Sequence, residues 1–418
     1  MQLLIKNVCI NDGLTEQKPV DILIRNGIIT EIAAHIVPDQ GAEVWDTGGA
    51  CVSPGWFDVG VQICDPGLEH REDIQSALNA AAAGGFTGIA CFANTSPAIH
   101  SKSEVLYVRN KAQSCSSPVE LYPVGALSQN CDGKDLAELI DMHHAGAVAF
   151  ADGYRAVQDA GLLLRALQYA RAFDGLIMNR PHHKTVAGGG QMHEGIMSTS
   201  LGLKGIPALA EELMVQRDLS LLEYTGGRLH IHLVSTARSV DLIRHARSRG
   251  LSVTCSVAAV NLCFNDEMMA DFDSNWKVMP PLRSNPDVNA LRSAVMDGTV
   301  DFICSNHIPW HEEAKNLEFP YAEFGMTGLE TAFSMCLTHS DIPVEMLIRK
   351  FALAPRSILG LPIPVIKEGE MANLTVFDPK ATWRYNTTES RSANSPFVGK
   401  EMKGKILGVV NLDRTIRH

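Results

Sequence analysis

With 418 residues, 45% of them hydrophobic and 20% charged, the chain has ordinary globular composition and suits one large α/β barrel with an appendage, or two domains. Its net charge of −11 is spread along the chain rather than gathered in blocks. That excludes the basic face that nucleic acid or an anionic membrane surface requires. The ten cysteines show no CxxC pair, and Cys9, Cys91, Cys255, Cys304 and Cys336 lie in apolar runs, as reduced core thiols do. Residues 1–7 lack the apolar region of a signal peptide, and no stretch approaches the ~18 apolar residues of a membrane span. The expectation is a cytoplasmic protein.

In chain order, residues 2–9, 20–32 and 43–53 read as short strands punctuated by Asn-Gly and Gly-Gly turns. Residues 372–377 and 405–410, near the other end, have the same texture, which predicts a small β-sandwich domain built from both termini. Its parts span 1–52 and 366–418. Between the two late strands, the polar segment 379–399 reads as a long surface loop. From 53 to 365, apolar strands alternate with amphipathic helices. Candidate strands are 52–62, 87–93, 119–126, 147–152, 175–179, 228–234, 252–257 and 301–306; the helical segments include 134–145, 156–173, 206–222, 237–249 and 287–297. In 237–249, Leu242, Ile243 and Ala246 share one face, Asp241, Arg244 and His245 the other, and Gly250 follows as a C-terminal cap. About eight strand–helix units predict a (β/α)8 barrel. A doubly wound open sheet is the alternative, but no GxGxxG-like turn follows an early strand.

Barrel chemistry sits at the C-terminal strand ends, and there the sequence resembles a known family. Ser53-Pro54-Gly55-Trp56-Phe57-Asp58, Asp65-Pro66-Gly67 and Glu72-Asp73-Ile74 open the likeness, followed by Asn94-Thr95-Ser96-Pro97. Next come Gly189-Gly190, His193-Glu194-Gly195 and the run Leu201-Gly202-Leu203-Lys204-Gly205-Ile206-Pro207. Val234-Ser235-Thr236, Pro280-Pro281-Leu282-Arg283, Phe324-Gly325, Gly328-Leu329-Glu330 and Asn394-Ser395-Pro396-Phe397 complete it. Collinear over nearly the whole chain, these segments resemble the dihydroorotases of the amidohydrolase superfamily.

The resemblance implies zinc chemistry: the metal polarises an amide carbonyl and supplies hydroxide near neutral pH. Imidazole and carboxylate ligands at about 2 Å are needed. In the family these are His-x-His on strand one, an acid or modified lysine on strand four, histidines on strands five and six, and Asp on strand eight. Here the corresponding positions hold Gly60 and Gln62, Asp152 followed by Gly153, then Asn179, Leu233 and Asn306. An amide at 306 cannot take up the proton, so general-base help worth ~10²–10⁴-fold is missing. Cys64 replaces the strand-one Arg that would pair a substrate carboxylate. Asn94 and His307 persist at positions that contact substrate in the family, and with Cys64 and Asp152 they outline a substrate-like pocket. The sequence thus predicts a pseudoenzyme with no catalytic residues, no metal ligands and no cofactor.

Other readings stay open. His230 and His232 face one side of a strand and form either a relocated metal pair or part of the barrel wall. The loop histidines His182, His183 and His193, with His311, would rebuild a metal site if they converged. Cys64 would be a nucleophile only with an oriented partner, and Asp152 is either a functional acid or a helix cap. Residues 184–190 are glycine-rich but lack a phosphate-loop order. The resemblance implies a structural or regulatory role beside aspartate carbamoyltransferase, with a homo-oligomer as a further expectation. The alternatives are an active cyclic-amide hydrolase with relocated ligands, or a small-molecule sensor.

Overall fold

The computed structural model describes residues 2–13 and 18–418. Strands β1 (Gln2–Ile10), β2 (Val20–Arg25), β3 (Ile28–Ala33), β4 (Glu43–Asp46) and β5 (Cys51–Pro54) come from the N-terminal end. The barrel strands are β6 (Trp56–Val61), β7 (Phe86–Cys91), β8 (Glu120–Gly125), β9 (Ala149–Phe150) and β10 (Leu176–Asn179). A two-stranded ribbon, β11 (Met192–His193) with β12 (Gly205–Ile206), precedes the remaining barrel strands β13 (Arg228–Ile231), β14 (Val253–Ala258) and β15 (Phe302–Cys304). The chain ends with β16 (Asn373–Arg384), β17 (Glu401–Asn411) and β18 (Arg414–Arg417).

The eight barrel strands run in the order β15-β14-β13-β10-β9-β8-β7-β6. All of their pairings are parallel. Across the seam, the Gln62 N–H donates to the His307 carbonyl at 3.1 Å. The Asp58 carboxylate accepts from the Ser305 N–H at 2.8 Å and from the Ser305 hydroxyl. This is the predicted (β/α)8 barrel. β6 and β7 are buried along their whole length, as strands covered on both faces must be, which explains their continuous apolar runs. Helix Ala237–Ser248 begins on Thr236, whose side chain accepts from the Ser239 N–H. It ends as predicted: Gly250 sits at φ +85°, its N–H bonded to the Arg247 carbonyl at 2.8 Å.

Both termini supply a second, eight-stranded sheet, ordered β18-β17-β16-β5-β1-β2-β3 with β4 on β1. Its halves enclose one core of Leu3, Ile5, Ile22, Ile24, Val52, Leu374 and Val376. The predicted strand 52–62 is two strands, β5 in this sheet and β6 in the barrel. They part at Gly55, where a Cβ would lie 1.9 Å from Asn373 Oδ1 and 2.1 Å from Thr87 Oγ1. Trp56, fully buried, then packs against Phe333 at 4.3 Å and Phe377 at 5.3 Å, locking barrel to terminal sheet.

The surface-loop expectation for 379–399 is overturned. β16 continues to Arg384, and Ser390, Ser392, Asn394, Ser395 and Phe397 are buried. Asn394 receives the Trp310 N–H at 2.9 Å and donates to the Ile308 and Gly325 carbonyls at 3.1 and 3.2 Å. Polar residues are buried here because the segments after β6 and β15 satisfy them, Ser390 on Glu72, Ser392 on the Arg71 carbonyl and Asn394 on the Ile308 carbonyl.

Candidate functional site

Gly60 lies near the end of β6 at φ +95°. A Cβ there would come within 2.8 Å of His232 Nε2 and 2.9 Å of Phe92 Cε2. The space in which a side chain would stand is filled by these two rings, which meet edge to face at 5.0 Å. Gln62, also buried, accepts from Arg71 Nη2 at 3.4 Å. Arg71 itself grips the Pro309 carbonyl with Nε and Nη2 at 3.0 and 2.9 Å and stacks 3.5 Å above the Trp310 ring. Cys64 is 2% exposed, and burial pushes its thiol up to about 12. A thiol held protonated is no nucleophile at neutral pH.

On the opposite wall, Asp152 accepts from the Ser128 N–H at 2.8 Å and the Ser128 hydroxyl at 2.6 Å, and burial raises its pKa. It ties down the loop after β8. Gly153, at φ +63°, faces Asn94: a Cβ would lie 1.7 Å from Asn94 Oδ1. Asn94 donates to the Asp152 carbonyl at 3.0 Å and accepts from the Tyr154 N–H at 3.1 Å. Its amide is occupied by the chain itself.

Asn179, ending β10, accepts from the Val157 N–H at 3.0 Å and donates to Asp218 at 2.6 Å. Asp218, fully buried, also holds Arg217 at 2.6 Å, and burial raises its pKa. Leu233 is buried at φ +61°. His230 Nδ1 meets Thr254 Oγ1 at 2.8 Å and Nε2 meets Ser256 Oγ at 3.0 Å, and the ring stacks on Phe302 at 4.7 Å. Burial pushes this imidazole down to about 3. His232 Nδ1 contacts the same Ser256 hydroxyl at 3.2 Å. The His-x-His pair belongs to the barrel wall.

After β15, Asn306 turns at φ +53° and donates to the Met279 carbonyl at 3.2 Å. His307 Nδ1 accepts the Gly328 N–H at 3.3 Å, which leaves Nε2 to donate to Glu72 at 3.3 Å. Burial disfavours the Glu72 charge, but bonds from His307, Ser390 and Ser76 outweigh it and lower the pKa. Cys64, Leu233 and Asn306 all have left-handed backbone, strain that surrounding contacts must hold. The bends that aim strand-end side chains across the mouth thus carry groups with no acid or imidazole.

The loop histidines do not rebuild a site. His193 Nδ1 meets Arg283 at 3.2 Å, His183 meets Thr185 at 3.2 Å, and His311 packs against His70 at 5.3 Å. Burial, then Arg180 and Arg283, hold His182 down at about 4. Among the described residues, no group of three or more His, Cys, Asp or Glu is placed to hold a metal ion, so the donors present do not fit zinc. Sequence reasoning missed Arg71, Arg180, Glu211 and Asp218. Arg71 and Arg180 were signalled only by closeness to the Glu72 segment and to the end of β10, whereas Glu211 and Asp218 lie within the helix Leu209–Thr225 and carried no local signal.

The parallel barrel, with a terminal β domain and a mouth built at the strand ends, defines a (β/α)8-barrel protein whose candidate site lies at the C-terminal strand ends. The profile described as "Dihydro-orotase-like" matches residues 49–239. The chain is 43% identical to a dihydroorotase of Pelotomaculum thermopropionicum, covering 100% of both chains. It is 38% identical to one of Pelobacter propionicus, covering 100% of this chain and 99% of that one. The chain belongs to the dihydroorotase family. Among solved structures, L-hydantoinase (dihydropyrimidinase) from Arthrobacter aurescens matches with TM-score 0.87 at 24% identity, over 100% of this chain and 96% of that one. A dihydropyrimidinase from Brevibacillus agri matches with TM-score 0.82 at 19% identity, over 100% and 95%. Both share the fold. No helix among the described residues is long and apolar enough to cross a membrane.

Proposed function

We propose that this chain is a non-catalytic dihydroorotase homologue serving pyrimidine biosynthesis in the cytoplasm as a structural or regulatory partner of aspartate carbamoyltransferase. The carrying observation is that Gly60 and Gly153 have no room for a side chain, while Gln62, Asn179, Leu233 and Asn306 are buried at the other strand tips. Zinc hydrolysis needs three or more imidazole, thiolate or carboxylate ligands and an open coordination position. The slots here offer amides, glycine and leucine, and the one surviving acid, Asp152, is tied to Ser128. The names of the relatives support a pyrimidine-pathway ancestry; fold alone does not carry activity with it.

A barrel that keeps its packing without its chemistry has its surface left to be used, and the family resemblance supports the transferase as the partner. Mixing the purified chain with aspartate carbamoyltransferase from the same source and measuring mass by light scattering tests this. One co-eluting species is expected, and two independent species contradict the partnership. Zinc analysis with a dihydroorotate hydrolysis assay tests the loss of catalysis separately.

A further inference from the structure

Arg180 leaves the C-terminal end of β10 beside Asn179 and is 5% exposed. Its Nη1 donates to the Tyr154 carbonyl at 3.3 Å, but Nη2 is buried with no hydrogen-bond partner. Burial pushes this guanidinium down to about 10, against the favourable field of Glu211 and Tyr154. Glu211 is already engaged. It accepts from the Ser235 N–H at 2.8 Å, the Thr236 N–H at 3.0 Å and the Ser235 hydroxyl, and pairs with Arg283 Nη2 at 3.5 Å. Arg283, 2% exposed, uses Nε on Ser235 Oγ at 3.0 Å and Nη1 on His193 and the Ile206 carbonyl, both at 3.2 Å. Arg283 thus takes the Glu211 carboxylate, while Arg180 makes no ion pair among the described residues, and His182 lies in the field of both guanidiniums. Buried charges persist when paired, and a buried donor without an acceptor calls for one.

We propose that Arg180, the residue after Asn179 at the exit of β10, forms a binding site for a small oxyanion, a carboxylate or a phosphate group, received by its unpartnered Nη2. A guanidinium presents a planar fork suited to two oxygens of such a group. The site lies at the exit of β10, next to the Asn179 slot, and it goes beyond the loss of catalysis.

Thermal unfolding and calorimetric titration of the whole chain test this with inorganic phosphate, with succinate, and with sodium chloride at matched ionic strength. The expected result is a saturable rise of about 2 °C or more over the chloride control. A larger effect from phosphate assigns a phosphorylated ligand, and one from succinate a carboxylate. Arg180→Met is expected to abolish the excess. Arg180→Lys keeps the charge without the fork and is expected to weaken binding roughly tenfold, which decides the matter if the methionine variant does not fold. No excess in the wild type, or an equal excess in the variants, overturns the proposal.

Discussion

Replacing Gly60 by alanine adds one methyl group at the point where the account says no side chain fits. The added carbon would lie 2.8 Å from His232 Nε2, 2.9 Å from His232 Cε1 and 2.9 Å from Phe92 Cε2, well inside the ~3.5–4.0 Å of a comfortable contact. Left-handed backbone at φ +95° costs an L-residue about 1–2 kcal/mol, and overpacking a close-packed interior costs about 1–3 kcal/mol. Together they destabilise the fold by roughly 2–5 kcal/mol. Unfolding entropy of about 2.1 cal/mol/K per residue, over 418 residues, converts this to a fall in Tm of roughly 2–6 °C. Differential scanning calorimetry reads that fall. In a Phe92→Ala background part of the crowding is relieved, so the penalty for Gly60→Ala is expected to shrink, leaving the backbone cost. A Tm unchanged by Gly60→Ala would refute the packed-mouth reasoning, because the slot would then have room for a ligand side chain.

Four further outcomes are expected. Folded His230 stays neutral down to about pH 3 while the unfolded chain protonates it near 6.5. Its contribution is full above that and falls as pH drops, by about 3 kcal/mol at pH 4.5; the Tm gap between wild type and His230→Gln should therefore narrow from pH 7 to 4.5, and a constant gap contradicts this. Asp58 runs the opposite way: burial raises it to about 6, so its contribution is full below ~3.9 and is lost as pH rises through 6, and Asp58→Asn should flatten that limb of the Tm–pH curve. Iodoacetamide at pH 8 should leave Cys64, at 2% exposure, unmodified in the native chain while reaching the half-buried Cys115; peptide mapping that finds Cys64 alkylated first defeats the assignment. Asn394→Ala removes bonds to Trp310, Ile308 and Gly325, costing roughly 2–4 kcal/mol, and should open residues 386–399 to limited proteolysis, with unchanged cleavage counting against the buried-segment description.

The barrel was legible because parallel strands buried on both faces write continuous apolar runs, as Phe86–Cys91 does, and because Gly250 marks its helix end locally. The break at Gly55 was not, since it is set by Asn373 and Thr87, distant in sequence. Polar composition misrepresented 379–399: Ser390, Ser392 and Asn394 are buried because partners on other loops satisfy them. At the mouth, the identity of each slot residue could be read directly. That Gly60 is crowded by His232 and Phe92, that Gly153 is crowded by Asn94, and that Arg180 lacks a carboxylate are facts of tertiary packing. Periodicity cannot report them.

Zinc stoichiometry of the chain prepared without chelators, determined beside dihydroorotate turnover in the same sample, is the sharpest check on the loss of the metal centre. Sub-stoichiometric zinc and no turnover above background are expected. Stoichiometric zinc with hydrolysis abolished by chelation would contradict that loss.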